Sequence, residues 1–367
     1  MKKYTVVQIG LGPRGIIHLT GFEANSDRFK IAGICDLIPE RVKAAADMFS
    51  YENDMLFDDA EQMIAKLRPD IVSFATLPHV RSEIVELAVK YKAIGLVFEK
   101  PMATSLKEAR YITELCEKNN IKAIVCHQHK YLESFQKLNE YIESGELGKI
   151  YRIDDVCQAF MAQLGTHYMD YILWANRGVG AESVIGHIHG TFMLTDSHPS
   201  PDHFMGEIVM KNGVRSNLQC GYFSKRHSNY QIDYEKKIFP IQYWTDDRLT
   251  VYGDTGYAWA ECNGRWGAFT SKTEGKIVGG KCTGFLDEQD AMQIMYTKDF
   301  TAWLDDDDKI HPCNIKQAYH GHEIIEAICL SALDKTRIDL PLLPPFPENI
   351  LTRMEKELPP VKYRTFP

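Results

Sequence analysis

Val6-Val7-Gln8-Ile9-Gly10-Leu11-Gly12-Pro13-Arg14-Gly15 decides the reading of this chain. An apolar, strand-like run feeds directly into G-x-G-x-x-G, and Ile16 to Phe22 can open a helix. A second strand-like run, Lys30 to Cys35, ends on Asp36, about twenty residues beyond Gly15. Gly10 permits the tight turn, Gly12 lets backbone approach a pyrophosphate, and Gly15 lets helix and strand pack closely. The helix start offers N–H groups and a positive dipole end to phosphate. A carboxylate at Asp36 accepts from ribose hydroxyls and repels a 2′-phosphate, so NAD is expected rather than NADP. Leu11, Pro13 and Arg14, inside the loop, join the expected cofactor contacts.

Outward from this stretch, strands and helices alternate. Helices are expected over Pro39–Phe49, Asp58–Leu67, Val80–Tyr91 and Ser105–Asn119. Strands are expected at Ile71–Ala75, Gly95–Phe98 and Lys122–Val125. That grammar predicts a Rossmann-type doubly wound parallel sheet over residues 1–125. Ligands of such a sheet bind beyond the carboxyl ends of its strands. Thr76, Leu77, His79, Glu99, Lys100 and Gln128 therefore enter as candidate cofactor contacts.

From residue 126 to 367 the pattern changes. A helix, Leu132–Ser144, precedes longer alternating segments punctuated by Asn212-Gly213 and Asn263-Gly264, which are hairpin signals. An α+β domain with a large, mostly antiparallel open sheet is expected, with helices Gln163–Trp174 and Gln317–Leu333 covering one face. Leu340–Pro347 and the tail to Pro367 read as extended closing segments.

Composition narrows the function classes. The 367 residues suit two domains, and 44% hydrophobic with 25% charged residues is ordinary for a globular protein. A net charge of −8, from 42 basic and 50 acidic residues, argues against nucleic acid and anionic membranes as partners. No run reaches the roughly 20 apolar residues of a membrane span. The apolar run after Met1-Lys2-Lys3 is the first strand, with no cleavage site behind it, so no signal peptide is expected. Nine scattered cysteines without a C-x-x-C pair suggest a reducing compartment, the cytoplasm.

Phe98-Glu99-Lys100-Pro101, following a buried strand downstream of the glycine loop, closely resembles the Gfo/Idh/MocA oxidoreductases. Cys35-Asp36 with Pro39-Glu40-Arg41, Leu147-Gly148-Lys149-Ile150, Leu164 to Asp170, Tyr252 to Gly256, and Ser331-Ala332-Leu333 with Leu340-Pro341-Leu342 extend the likeness over nearly the whole chain. The resemblance implies an NAD-dependent oxidoreductase acting on a hydroxyl of a sugar, polyol or related carbohydrate, assembled as a homodimer or homotetramer through the C-terminal sheet. It also implies that Lys100 lies between nicotinamide and substrate and assists proton transfer, and that His167 faces the reacting carbon. Independently, a lysine at a strand's carboxyl end beside a cationic cofactor ring has reason for a depressed pKa.

One departure from the family pattern matters. Where similar enzymes carry an aspartate four residues before the histidine, this chain has Gln163. A glutamine orients a hydroxyl but cannot take its proton, so the base falls to His167 or Lys100. Gln163, Lys130, Asp170 and His129 are expected to contact substrate. His167 and Asp170, three apart on a helix, share a face. Two other readings stay open: a glycosidase that oxidises transiently, eliminates and re-reduces, and a non-catalytic NAD or sugar sensor. The pairs His127/His129, His187/His189 and His320/His322 lack further ligands at convincing spacing, and no metal is expected. Asp305–Asp308 lacks calcium-loop spacing and reads as a solvated helix end.

Overall fold

The computed structural model describes residues 2–196, 198–233, 236, 238–347 and 349–360. The tail expected to be extended lies partly outside them, at 361–367, and within them Ile350–Glu357 is a helix rather than an extended segment, with Met354 buried on its inner side. The chain divides into two compact units, residues 1–128 with 288–319, and residues 129–287 with 320–367.

The first unit holds a six-stranded sheet in the order β3-β2-β1-β4-β5-β6, every pairing parallel. Its strands are β1 (Tyr4–Ile9), β2 (Phe29–Cys35), β3 (Leu56–Phe57), β4 (Ile71–Phe74), β5 (Gly95–Phe98) and β6 (Lys122–Val125). Helices α1 (Pro13–Ala24), α2 (Pro39–Phe49), α3 (Ala60–Leu67), α4 (Arg81–Lys90) and α5 (Leu106–Lys118) alternate with them. Central strands β4 and β5 are buried at every residue, as sheets covered on both faces require. Phe74 and Phe98, neighbours in register, stack 4.9 Å apart. The doubly wound domain read from the sequence is thus formed.

One segment departs from the expected 126–367 division. Residues 288–319 fold with the first unit. They comprise most of helix α9 (Phe285–Asp305) and the start of α10 (Ile315–Asp334). Gly21 of α1 makes the close approach feasible, because a Cβ there would lie 2.5 Å from Thr297 Oγ1 and 2.9 Å from Gln293 Cγ. Asp305, read as part of a solvated helix end, instead accepts from Tyr4 Oη at 2.8 Å and from the Arg28 guanidinium at 2.8–2.9 Å. Ile315 and Ala318 join the core beneath β4–β6, and Val125 N–H donates to the Cys313 carbonyl at the sheet's edge.

The second unit is built on a nine-stranded sheet, order β14-β13-β12-β11-β7-β10-β9-β8-β15. It comprises β7 (Ile150–Cys157), β8 (Ala181–His189), β9 (His203–Met210), β10 (Arg215–Gly221), β11 (Asp247–Gly253), β12 (Gly256–Ala260), β13 (Arg265–Thr270), β14 (Val278–Lys281) and β15 (Ile338–Asp339). Only β7 and β10 pair in parallel, so the mostly antiparallel sheet is observed. Asn212-Gly213 turns β9 into β10, with Gly213 at φ +86° supplying the left-handed residue. Helices α6 (Glu133–Glu143), α7 (Thr166–Ala175) and the later part of α10 pack on the sheet. Gly186 and Gly206, cross-strand partners, admit Ile328 of α10. A Cβ at either would lie 2.0–2.3 Å from Ile328 atoms. The helix expected from Gln163 is two elements. Met161–Gly165 forms a π-helical turn, and the α-helix proper begins at Thr166. No helix among the described residues is long and apolar enough to cross a membrane.

Candidate active site

Each expected feature of the glycine loop has a geometric counterpart. Gly10, at φ +80°, has no room for a side chain, since a Cβ would stand 2.6 Å from the Ala75 carbonyl. At Gly15 a Cβ would fall 1.9 Å from the Gly10 carbonyl oxygen, so helix and loop touch through backbone alone. Gly12 differs: a Cβ there would meet nothing within 4 Å. It is also the N-cap of α1, no side chain bonds its helix start, and Pro13 occupies the first turn. An uncapped helix start behind an empty cradle is where backbone N–H groups receive phosphate. The Nε2 of Gln8 braces the loop from below by donating to the Ile9 and Gly10 carbonyls at 3.0 and 3.1 Å.

Asp36 is buried and already engaged. Its Oδ2 accepts from Leu11 N–H at 2.7 Å and its Oδ1 from Ile38 N–H at 2.9 Å. A carboxylate offers about four lone-pair directions, so each oxygen can still receive a ribose hydroxyl. Beyond β4, Thr76 Oγ1 is buried beside Gly10 with no partner among the described residues. Leu77 and His79 are exposed around the short turn Pro78–Val80. These features fit a dinucleotide over Gly10–Gly15, with Asp36 and Thr76 as flanking contacts.

At the end of β5, Glu99 turns inward. Its Oε1 accepts from Arg14 Nε at 2.6 Å and lies 3.3 Å from His18 Nε2, whose Nδ1 reaches Ser73 Oγ at 3.0 Å. Burial pushes the Glu99 carboxyl up, but Arg14 and His18 outweigh it and hold it well below the usual carboxylate range. Burial lowers the His18 pKa. Arg14 also donates to Cys126 Sγ at 3.3 Å. Gln128, its amide oxygen accepting from Arg14 Nη2 at 2.6 Å and its nitrogen donating to the Cys126 carbonyl at 2.8 Å, closes the cluster. Glu99, Arg14 and Gln128 therefore form one polar brace, buried at Glu99 and Gln128 and partly exposed at Arg14. Lys100 follows Glu99, half-buried. Burial, aided by Arg14 and Arg81 and opposed by Glu99 and Cys126, lowers its ammonium pKa below the ordinary value.

The second unit carries the remaining candidates. His167 and Asp170 lie on α7, both buried, and Lys130 Nζ meets Asp170 Oδ2 at 2.5 Å with each side chain only 1% exposed. His129 stacks on His167 with ring centroids 4.1 Å apart, and its Nδ1 lies 2.6 Å from Tyr171 Oη. Gln163 sits in the π-helical turn, where its Oε1 accepts from Phe160 N–H at 3.3 Å and Tyr243 Oη at 3.5 Å. Its carbonyl is thus spent on its own turn. Asp170 and Lys130, expected as substrate contacts, pair with each other instead.

Of the three H-x-H pairs, His187 and His189 lie on β8, whereas His320 and His322 lie on α10, where each meets a glutamate, Glu323 and Glu326. Among the described residues, the one His/Cys/Asp/Glu group at ligand-like spacing is His18, Glu99 and Cys126, and Arg14 already occupies it.

Residues 4–127 match the model of the oxidoreductase family with an NAD-binding Rossmann fold, GFO_IDH_MocA. Over these residues, about a third of the chain, the protein is similar to that family. The D-apiose dehydrogenase of Rhizobium rhizogenes is 31% identical over 119 residues, 32% of this chain and 34% of that one. The chain spans about a third of the length of the curated relatives it matches first. Two solved structures share the fold. A levoglucosan dehydrogenase in complex with NADH and levoglucosan has a TM-score of 0.75 at 17% identity, covering 93% of this chain and 100% of that one. An oxidoreductase from Agrobacterium radiobacter in complex with NAD+, L-tartaric acid and magnesium has a TM-score of 0.75 at 18% identity, covering 92% and 98%.

The sequence did not disclose Arg81, fully buried at the head of α4, whose Nη2 donates to the Thr76 carbonyl at 2.9 Å. Nor did it disclose Tyr171, Cys262 and Asp247 behind His129. Arginine in a first helical turn normally reads as surface. The one available hint was the sign of its charge, wrong for a helix N-terminus.

Proposed function

We propose that the protein is an NAD-dependent oxidoreductase that acts on a hydroxyl of a sugar, polyol or related carbohydrate. The open cradle at Gly12, behind an uncapped helix start and beside the carboxylate of Asp36, carries this reading. NAD, when bound, supplies a hydride acceptor. Gly10–Gly15, Asp36 and Thr76 hold it, and the Arg14–Glu99–Gln128 brace fixes the loop ends around it.

Removing the hydroxyl proton falls to Lys100 and His167. Gln163 has no basicity, and Asp170 is committed to Lys130. Lys100, its pKa lowered mainly by burial, is more readily available as the free amine, and the imidazole of His167 offers a second acceptor for the proton. Names of relatives support the substrate class: D-apiose, glucoside and inositol dehydrogenases all oxidise a carbohydrate or polyol. We further place the chain in a reducing compartment, the cytoplasm, on the odd number and scattered spacing of its nine cysteines, none in a C-x-x-C pair. We also infer a homodimer or homotetramer through the nine-stranded sheet, on whose outer face Ile185 is 47% exposed.

The test is absorbance of reduced nicotinamide with NAD or NADP against a panel of sugars and polyols, with Lys100→Ala as control. Reduction with NAD, lost in the variant, is expected. NAD binding without turnover on any panel member would remove the dehydrogenase reading for that panel.

A further inference from the structure

Arg81 is placed where physical chemistry disfavours it. It opens α4, where the helix dipole repels a cation, and its side chain is 2% exposed. Its Nε and Nη1 have no hydrogen-bond partner among the described residues. Burial lowers its pKa to about 10, with Glu99 and Glu108 only partly compensating. What the guanidinium does hold is informative. Nη2 donates to the Thr76 carbonyl at 2.9 Å and to the Lys100 carbonyl at 3.4 Å, joining the loop after β4 to the loop after β5. One loop lies against Gly10, and the other carries the lysine assigned above to proton transfer.

We propose that Arg81 is a positioning residue for Lys100: its fork ties the Lys100 backbone to the Thr76 loop and sets a buried guanidinium beside that lysine. The groups acting on Lys100 are Glu99 at its own strand end, Arg14 from α1, Arg81 from α4 and Cys126 beyond β6. Glu99, the largest of these charges, opposes Arg14 and Arg81 while it is itself paired with Arg14 at 2.6 Å. Two separable effects follow. The charge of Arg81 adds to burial and Arg14, against Glu99, in lowering the titration of Lys100, and its fork, reaching two carbonyls at once, sets the position.

The inference rests on the function proposed for Lys100, and its test reads that lysine directly. Full-length protein is labelled with an amine-reactive reagent across a pH series, and the extent at Lys100 is measured by peptide mass spectrometry, with exposed lysines as internal references. In Arg81→Gln, which loses the charge, the Lys100 midpoint should rise by about one pH unit. In Arg81→Lys, which keeps the charge and loses the fork, the midpoint should stay near that of the parent while kcat falls with KM little changed. An unchanged midpoint in Arg81→Gln overturns the inference, even if turnover is lost. Should that variant fail to fold, an unaltered kcat in Arg81→Lys overturns it. If the midpoint moves as expected but the parent oxidises no carbohydrate, the positioning role stands and the oxidoreductase reading fails.

Discussion

His129 and His167 stack with their rings 4.1 Å apart and 14° from parallel. Two imidazoles this close cannot both hold a proton's charge without mutual repulsion. The Nδ1 of His129 lies 2.6 Å from Tyr171 Oη, and burial, with Cys262 and Asp247 nearby, pushes that phenol's pKa far up, so it stays a donor. Neutral His129 then accepts at Nδ1 and carries its proton on Nε2. Nitrogen-15 NMR of histidine-labelled protein should show this tautomer. Tyr171→Phe should abolish it and cut kcat about tenfold, equivalent to about 1.4 kcal/mol. A proton on Nδ1 in the parent would refute the assignment.

The two outer glycines of the loop should respond differently from the one between them. Gly15→Ala forces a methyl to within 1.9 Å of the Gly10 carbonyl, and Gly10→Ala adds strain at φ +80°. Both should lower Tm and cofactor affinity together. Gly12→Ala meets no protein atom, so Tm should stay within a degree or two while NAD affinity falls at least about tenfold, read by calorimetry. Unchanged NAD affinity in Gly12→Ala would mean the cradle is not the phosphate site.

Lys130 and Asp170 form a fully buried pair, and removing one partner strands the other charge. Lys130→Met should destabilise by about 3–5 kcal/mol in denaturant unfolding. Lys130→Met combined with Asp170→Leu should recover much of that loss. If the double variant is no better than the single one, the pair's role is packing rather than charge neutralisation.

Two sets of buried carboxyls should give stability opposite dependences on pH. Glu99 has a folded pKa below its ordinary 4.5, so its contribution is complete above that value and fades as pH falls. Asp247, raised to about 7 mainly by burial, works the other way. It keeps its proton in the folded state between 3.8 and 7, so stability is lost as pH rises through that window. Asp155 shares the sheet face and the upward direction, and neither of its oxygens has a partner among the described residues. Asp155→Asn should therefore raise Tm by a few degrees at pH 8 and by less at pH 5. Equal effects at both pH values would show that Asp155 is not held protonated.

The first unit was largely legible because each of its signals is local. The run Val6–Gly15 and the spacing to Asp36 constrain one β-α-β unit, and Glu99-Lys100-Pro101 sits at a strand end that the hydrophobic pattern alone locates. What the sequence concealed depends on contacts remote along the chain. The return of residues 288–319 onto α1 rests on Gly21 meeting Gln293 and Thr297, some 270 residues away, and nothing in either segment announces the other. The burial of Lys130 and Arg81 was hidden for a related reason: long cations default to the surface, and only the tertiary fold shows what neutralises one and confines the other. At Gln163 the residue type was read correctly, but the π-helical turn that consumes its carbonyl follows from packing around Phe160 and Tyr243 rather than from local preference.

Asp36 has one further consequence, for how cofactor preference can be changed. Its carboxylate does not merely wait for a ribose; it already fastens Leu11 N–H within the glycine loop and Ile38 N–H at the mouth of α2. Exchanging it for a small or basic residue to welcome a phosphorylated ribose would release both amides at once. Redesign, whether by selection or by hand, therefore has to travel in pairs, with a new acceptor for Leu11 arriving alongside the new contact for the phosphate.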